Sequence, residues 1–258
     1  MTQFASQSDS VPRSRAPART NPGFSTTRDE ARDILAACAA RPIPLSRPIF
    51  IIAGYHSPLF TIRPIESALR RCVADPELIH TISCPFAPSL ESAAASALAA
   101  ISKHTSAPEI DIIGHSLGGI VGRMLLAEPK LPANFPVVHR LFTLATPHCG
   151  AIIAPLAPID RAARQLHRES DFLAALNAQP IPPSTQLICY ARLCDWWVGA
   201  KNCAPPGHYP FWLDADTFIS RLLGHFSITR DERILADIIR RVRNETPLAT
   251  AATLPPRH

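Results

Sequence analysis

The sequence predicts an α/β domain: a mostly parallel sheet of about six strands, helices on both faces, and a helical cap inserted late in the chain. Three observations carry this. Short apolar runs alternate with stretches of helical periodicity, the pattern of successive βαβ units. In "DIIGHSLGGIVGRMLL" (111–126) a serine sits between glycines where one such run meets the next helix. The 258 residues, 47% of them hydrophobic, suffice for one sizeable core.

The elements follow in order. "TRDEARDILAACAA" (27–40) opens with Thr27 and Glu30 three apart, a capping-box signature, and reads as helix. "RPIFIIAG" (47–54) is a short apolar run closed by glycine, a buried strand. "RPIESALRRCVA" (63–74) carries Pro64 in its first turn and reads as helix. "ELIHTISC" (77–84) is a strand, the Ala-rich 89–104 a helix, and "EIDIIG" (109–114) a strand leading into the helix that follows Ser116. "VVHRLFTLAT" (137–146) is the next strand, 159–177 an irregular helical stretch, and "TQLICYAR" (185–192) and "HYPFWLDA" (208–215) two more strands. Residues 229–242 close as a helix, with Thr229 and Glu232 as a second capping box. Residues 148–184 are too long for an ordinary connection and read as an inserted cap on a single domain over 27–246. Residues 1–26 and 247–258 read as disordered tails.

Composition narrows the function. Lys+Arg 26 against Asp+Glu 21 gives +5, with the arginines scattered and no nucleic-acid module in sight. The seven cysteines lie in apolar stretches without CxxC or zinc spacing, so they read as reduced thiols of a cytoplasmic protein; Cys194 and Cys203 flank one loop and are near enough in sequence to pair. The N-terminal stretch has no apolar signal core, and no run reaches membrane-span length, so no transmembrane segment is expected. It contains Arg and Ser and is poor in acids, which is transit-peptide-like, but a tail is the preferred reading.

A serine on a sharp strand-to-helix turn needs minimal side chains two residues before and after it, and Gly114 and Gly118 stand there. Ser116 is therefore the expected nucleophile. Its hydroxyl needs a base. His225, after Gly224 and ahead of the last helix, is preferred to His115, which sits in the turn itself, and to His148, which reads as a turn residue. The base needs a carboxylate to fix its tautomer. Asp195 directly follows a strand; Asp214 and Asp216 are its rivals. One oxyanion donor is the Leu117 N–H at the start of the helix. The second is expected from "FIIAGYHSPLF", with Tyr55 preferred and His56 the alternative.

With these residues the chain resembles the α/β-hydrolase superfamily, and within it the bacterial lipase/esterase group. The motifs are "GHSLGG" (114–119), "TPHCG" (146–150), "DWWV" (195–198), "GH" (224–225) and "RESDFLAALN" (168–177), and the resemblance covers about 47–243. Two features depart from the group: Ala53-Gly54 replaces its His-Gly, and no β-hairpin precedes residue 47, so a shortened sheet of six strands is expected. The resemblance implies a Ser-His-Asp esterase working through an acyl-enzyme without a cofactor. Some relatives bind calcium; no clustered carboxylates support a metal here. The expected partner is a small apolar ester, met by His56, Leu59, Phe60, Ile152, Ile153 and Trp196, with Trp197 beside the last. A thioesterase or acyltransferase would use the same triad. A silent binding scaffold is the rival of another class, though such proteins usually lose a triad member and none is missing here.

Overall fold

Six short strands form one sheet in the order β2-β1-β3-β4-β5-β6. They are β1 (Ile49–Ile52), β2 (Ile79–Ile82), β3 (Glu109–His115), β4 (Val137–Leu144), β5 (Gln186–Arg192) and β6 (Phe211–Leu213). Every pairing is parallel. The computed structural model describes residues 21–54, 57, 59–84, 87–127, 131–156, 161–215 and 222–256. Parallel neighbours need crossovers, and the helices supply them. These are α1 (Arg28–Ala40), α2 (Arg63–Cys72), α3 (Leu90–His104), α4 (Leu117–Ala127), α5 (Arg161–Gln165), α6 (Asp171–Asn177), α7 (Gly224–Ser227) and α8 (Glu232–Val242).

The strands are apolar on both sides because both faces are covered. Ile49, Ile51, Ile113, Phe142 and Tyr190 point to one face, where α1, α2 and α8 pack. Phe50, Ile52, Ile110, Ile112 and Leu141 point to the other, under α3 and α4. Each wholly buried side chain of this kind contributes about 1.5–3 kcal/mol relative to an exposed one. The chain goes from β1 outward to β2 and then returns to place β3 on β1's other side, so the strand order reverses between β1 and β3. In open parallel sheets the crevice at that point, above the strands' C-terminal ends, is the usual ligand site.

Several boundaries differ from the sequence expectation. The Thr27–Glu30 capping box is present. The second box is not: α8 is capped by Asp231, whose side chain accepts from the Arg233 N–H at 3.0 Å, while Thr229 is buried in the preceding 3-10 turn. Asp231 also meets buried Arg192, so ion pairing and capping fall on the same carboxylate. The irregular stretch 159–177 resolves, over its described residues, into α5 and α6, with Ser170 capping the second. The last strand shortens to three residues after Pro210, which has no N–H for a ladder.

Of the expected tails, residues 1–20 and 257–258 lie outside the described residues, while 21–26 and 247–256 pack on the domain. Phe24 is buried in the core, and the Thr250 N–H donates to Gly23 O at 2.8 Å. The anchor is Asp237 on α8, itself wholly buried. Its carboxylate accepts from Tyr190 Oη at 2.6 Å, Arg241 Nε at 2.9 Å, and the Leu248 and Ala249 N–H groups at 2.6 and 2.9 Å. One acid thus ties β5, α8 and the chain beyond it together.

Asp237→Ala strips the partner from a buried arginine and two amides. Unfolding free energy should fall by about 3–5 kcal/mol, measured by urea denaturation; a change under about 0.5 kcal/mol, typical of a surface site, would refute the anchor.

Candidate active site

β3 runs straight into Ser116, whose φ of +54° lies in the left-handed region. A non-glycine residue pays about 1–3 kcal/mol for such a backbone, which persists only where surroundings enforce it. The enforcement is local. The Ser116 N–H donates to Leu144 O at 2.8 Å, and the Gly119 N–H returns to Ser116 O at 3.0 Å. A side chain at Gly118 would place its Cβ 2.2 Å from Ile52 O, so only glycine lets α4 start this close to β1. Leu117 is the first residue of α4, where N–H groups have no acceptor within the helix and the helix dipole is positive.

His225 arrives from the other end of the chain in α7, a single turn. Its Nε2 stands 3.0 Å from Ser116 Oγ, placed to accept the hydroxyl proton. Its Nδ1 stands 3.0 Å from Asp195 Oδ2, to which it donates. Asp195 follows β5, and its other oxygen accepts the Trp197 and Val198 N–H groups at 3.0 and 3.1 Å, which locks the carboxylate's direction. His225 and Asp195 are both nearly inaccessible to water. Gly224 makes their meeting feasible: a Cβ there would fall 2.3 Å from Cys194 O.

The rival residues lie elsewhere. Asp214 accepts from the Ala215 N–H, and its carbonyl receives Arg233; Asp216 is outside the described residues. His148 is wholly buried under the turn after β4, between Thr143 Oγ1 at 3.1 Å and Arg123 at 3.4 Å. Burial and the Arg123 guanidinium hold it neutral, well below the usual imidazole range. His115 is also wholly buried and donates from Nε2 to the His225 carbonyl at 3.1 Å. Burial and the neighbouring His225 push its pKa down to about 3.

Tyr55 and His56, the expected second oxyanion donors, lie outside the described residues. Leu59 and Phe60 are exposed in a 3-10 turn after β1, and Ile152 is exposed on the segment after β4. Ile153 is tied to the acid loop, its N–H donating to Trp197 O at 3.2 Å. Trp196 is exposed, and it is Trp197 that touches His225, its ring lying 9° from parallel to the imidazole with centroids 5.3 Å apart. Leu222 and Leu223, just ahead of His225, are exposed apolar residues that sequence reasoning passed over. Their position before "GH" was the available signal. All these segments leave the sheet at its C-terminal edge.

The cap divides in two. Leu166, Leu173 and Leu176 pack with α3 and α4, and Arg123 of α4 donates to Asn177 Oδ1 and Leu176 O at 2.7 and 2.9 Å. Ile152 and Leu156 stay exposed, with Ile152 against Gly199 of the acid loop. Cys194 and Cys203 are both free thiols. Among the described residues no cluster of three or more His, Cys, Asp or Glu is placed to hold a metal ion. No helix among them is long and apolar enough to cross a membrane.

Residues 86–171 match the family described as "PGAP1-like alpha/beta domain". Over 76 residues the chain is 36% identical to the GPI inositol-deacylase of Mus musculus, a match covering 30% of this chain and 8% of that protein. The chain thus spans less than a tenth of that relative. Among solved structures, the Bacillus licheniformis lipase BlEst2 aligns with a TM-score of 0.56 at 17% identity, over 78% of this chain and 94% of that one. Aspergillus fumigatus lipase B aligns with a TM-score of 0.55 at 13% identity, over 95% of this chain and 64% of that one. These likenesses concern the fold.

Gly118→Val drives a branched side chain into the β1 backbone. The variant should be insoluble or destabilised on the order of several kcal/mol. A soluble protein with the wild-type melting temperature would show that α4 does not approach β1 as described.

Proposed function

We propose that this member of the α/β-hydrolase superfamily is a serine hydrolase of carboxylic esters. One observation carries the reading: a strained serine at a helix N-terminus is joined to a buried histidine, and through it to a buried aspartate, by two contacts of 3.0 Å each. A structural serine needs none of these costs.

The chemistry follows from the positions. Ser116 Oγ attacks the ester carbonyl as its proton passes to His225 Nε2. Asp195 stabilises the imidazolium through Nδ1–H. The Leu117 N–H faces the oxygen that gains negative charge, and removal of one such donor typically costs about 100- to 1,000-fold in rate. The tetrahedral intermediate collapses, and His225 returns the proton to the leaving alcohol. Water, deprotonated by the same imidazole, then releases the acid from the acyl-enzyme. Tyr55 or His56 is the proposed source of the second oxyanion donor. No step calls for a cofactor.

The exposed apolar residues support an apolar substrate. Phe60, Ile152, Leu156, Trp196, Trp197 and Leu222 are exposed on four segments that follow the C-terminal ends of strands, the edge to which Ser116 and His225 also belong. Exposed apolar side chains on that edge are the kind that meet an apolar ligand. Leu156 and Ile152, on the free part of the cap, are the proposed contacts for the acyl chain.

Three outcomes test this reading. A fluorophosphonate probe should label the wild type at Ser116 and leave Ser116→Ala unlabelled but folded; an unlabelled wild type would favour a binding scaffold. Asp195→Asn should lower kcat for a p-nitrophenyl ester by about 10,000-fold, the loss expected when the base is held in the wrong tautomer; a greater loss in Asp214→Asn would move the acid. Shortening Ile152, Ile153 and Leu156 to alanine should shift preference along acetyl to decanoyl esters while Ser116 labelling persists. An unchanged chain-length profile with lowered stability would make the segment a packing insertion.

A further inference from the structure

We propose that His115 is a positioning residue for the base: its Nε2–H, donated to the main-chain carbonyl of His225, holds the imidazole of His225 in line with Ser116. The inference rests on the proposed roles of Ser116, His225 and Asp195.

His225 begins near the start of a one-turn helix, too short to fix its own backbone. Three restraints act on it from the loop after β5: the 3.0 Å bond to Asp195, the Trp197 ring stacked on its imidazole, and the close packing of Gly224 on Cys194 O. None of them ties it to the strand that carries Ser116. His115 does, because it is the last residue of β3 and the immediate neighbour of Ser116. Its 3.1 Å bond spans 110 residues of sequence and joins the two halves of the serine–histidine contact. A shift of the β3 end therefore moves nucleophile and base together, and proton transfer depends on that separation.

The chemistry of the ring suits the role. Donation from Nε2 fixes the tautomer and leaves the lone pair on Nδ1. That nitrogen is buried and has no hydrogen-bond partner among the described residues. A buried ring nitrogen costs free energy to desolvate, and an apolar ring would pack without that cost. What an apolar ring lacks is the Nε2 donor. The ring also lies 5.1 Å from the His225 ring, tilted by 44°. His225 becomes cationic in every turnover, so the neighbour has to stay neutral, as full burial makes it.

His115→Gln and His115→Met separate donation from packing, since Gln keeps an N–H at about the reach of Nε2 and Met fills similar space without one. In ester hydrolysis, His115→Met should lower kcat about 10- to 100-fold with KM within about twofold, and His115→Gln should stay within about fivefold of wild-type kcat. Wild-type kcat in the Met variant, or equal losses in both, would overturn the role. The ring nitrogens of wild-type His115, read by 15N NMR, should show the neutral Nε2-protonated tautomer from pH 8 to pH 5. An Nδ1-protonated ring, or titration near the ordinary histidine value of about 6.5, would overturn it equally. That measurement decides the matter if the variants fail to fold. It also separates the two readings: a wild type that neither turns over esters nor labels at Ser116 refutes the esterase assignment, while the tautomer still reports on the His115–His225 bond.

Discussion

Everything at the candidate site depends on how closely α4 starts against β1. Gly118 lies so near Ile52 O that no Cβ fits between them. That approach forces the chain to turn within one residue, and Ser116 takes the left-handed backbone that results. The turn lifts the serine side chain clear of the sheet and aims the first N–H groups of α4 at the same space. Ser116 and the Leu117 N–H, the proposed nucleophile and oxyanion donor, are thus set by a single steric constraint rather than by two separate devices.

The sheet order supplies the second condition. Strand order reverses between β1 and β3, and in open parallel sheets the loops after the strands part at such a point. Asp195 comes from beyond β5 and His225 from beyond β6, so three distant segments have to converge on one edge. Their convergence is held by close backbone contacts and buried hydrogen bonds: Gly224 on Cys194, His115 on the His225 carbonyl, and Ile153 on Trp197. Groups held this way reorganise little during reaction, which is where preorganised electrostatic stabilisation comes from.

A second set of buried contacts, around α8, is built for stability. Asp237 gathers a phenol, a guanidinium and two amides, and Asp231 joins Arg192 and Arg233 at the start of α8. Buried carboxylates survive there because each is saturated with donors. The chain after α8 is ordered through the same contacts and packs beside residues 21–24. This fixes α8, and with it the short segment that presents His225.

Much was legible in the chain itself, because it is written in local periodicity and in residue types that only one geometry tolerates. The strand–helix alternation, the serine between Gly114 and Gly118, and a histidine after a late glycine are all short-range signals. Folding then settled what depends on long-range contact. It placed Asp195 rather than Asp214 against His225, and Trp197 rather than Trp196 on its ring. It gave the last helix an Asp231 cap in place of Thr229, docked half of the cap on α3 and α4, and ordered the stretch expected as a C-terminal tail. It also joined His115, read in the sequence only as a residue of the turn, to the main-chain carbonyl of His225. A side chain's partner across 30 or 110 residues is set by which loops meet above the sheet, and no local pattern in the sequence encodes that meeting.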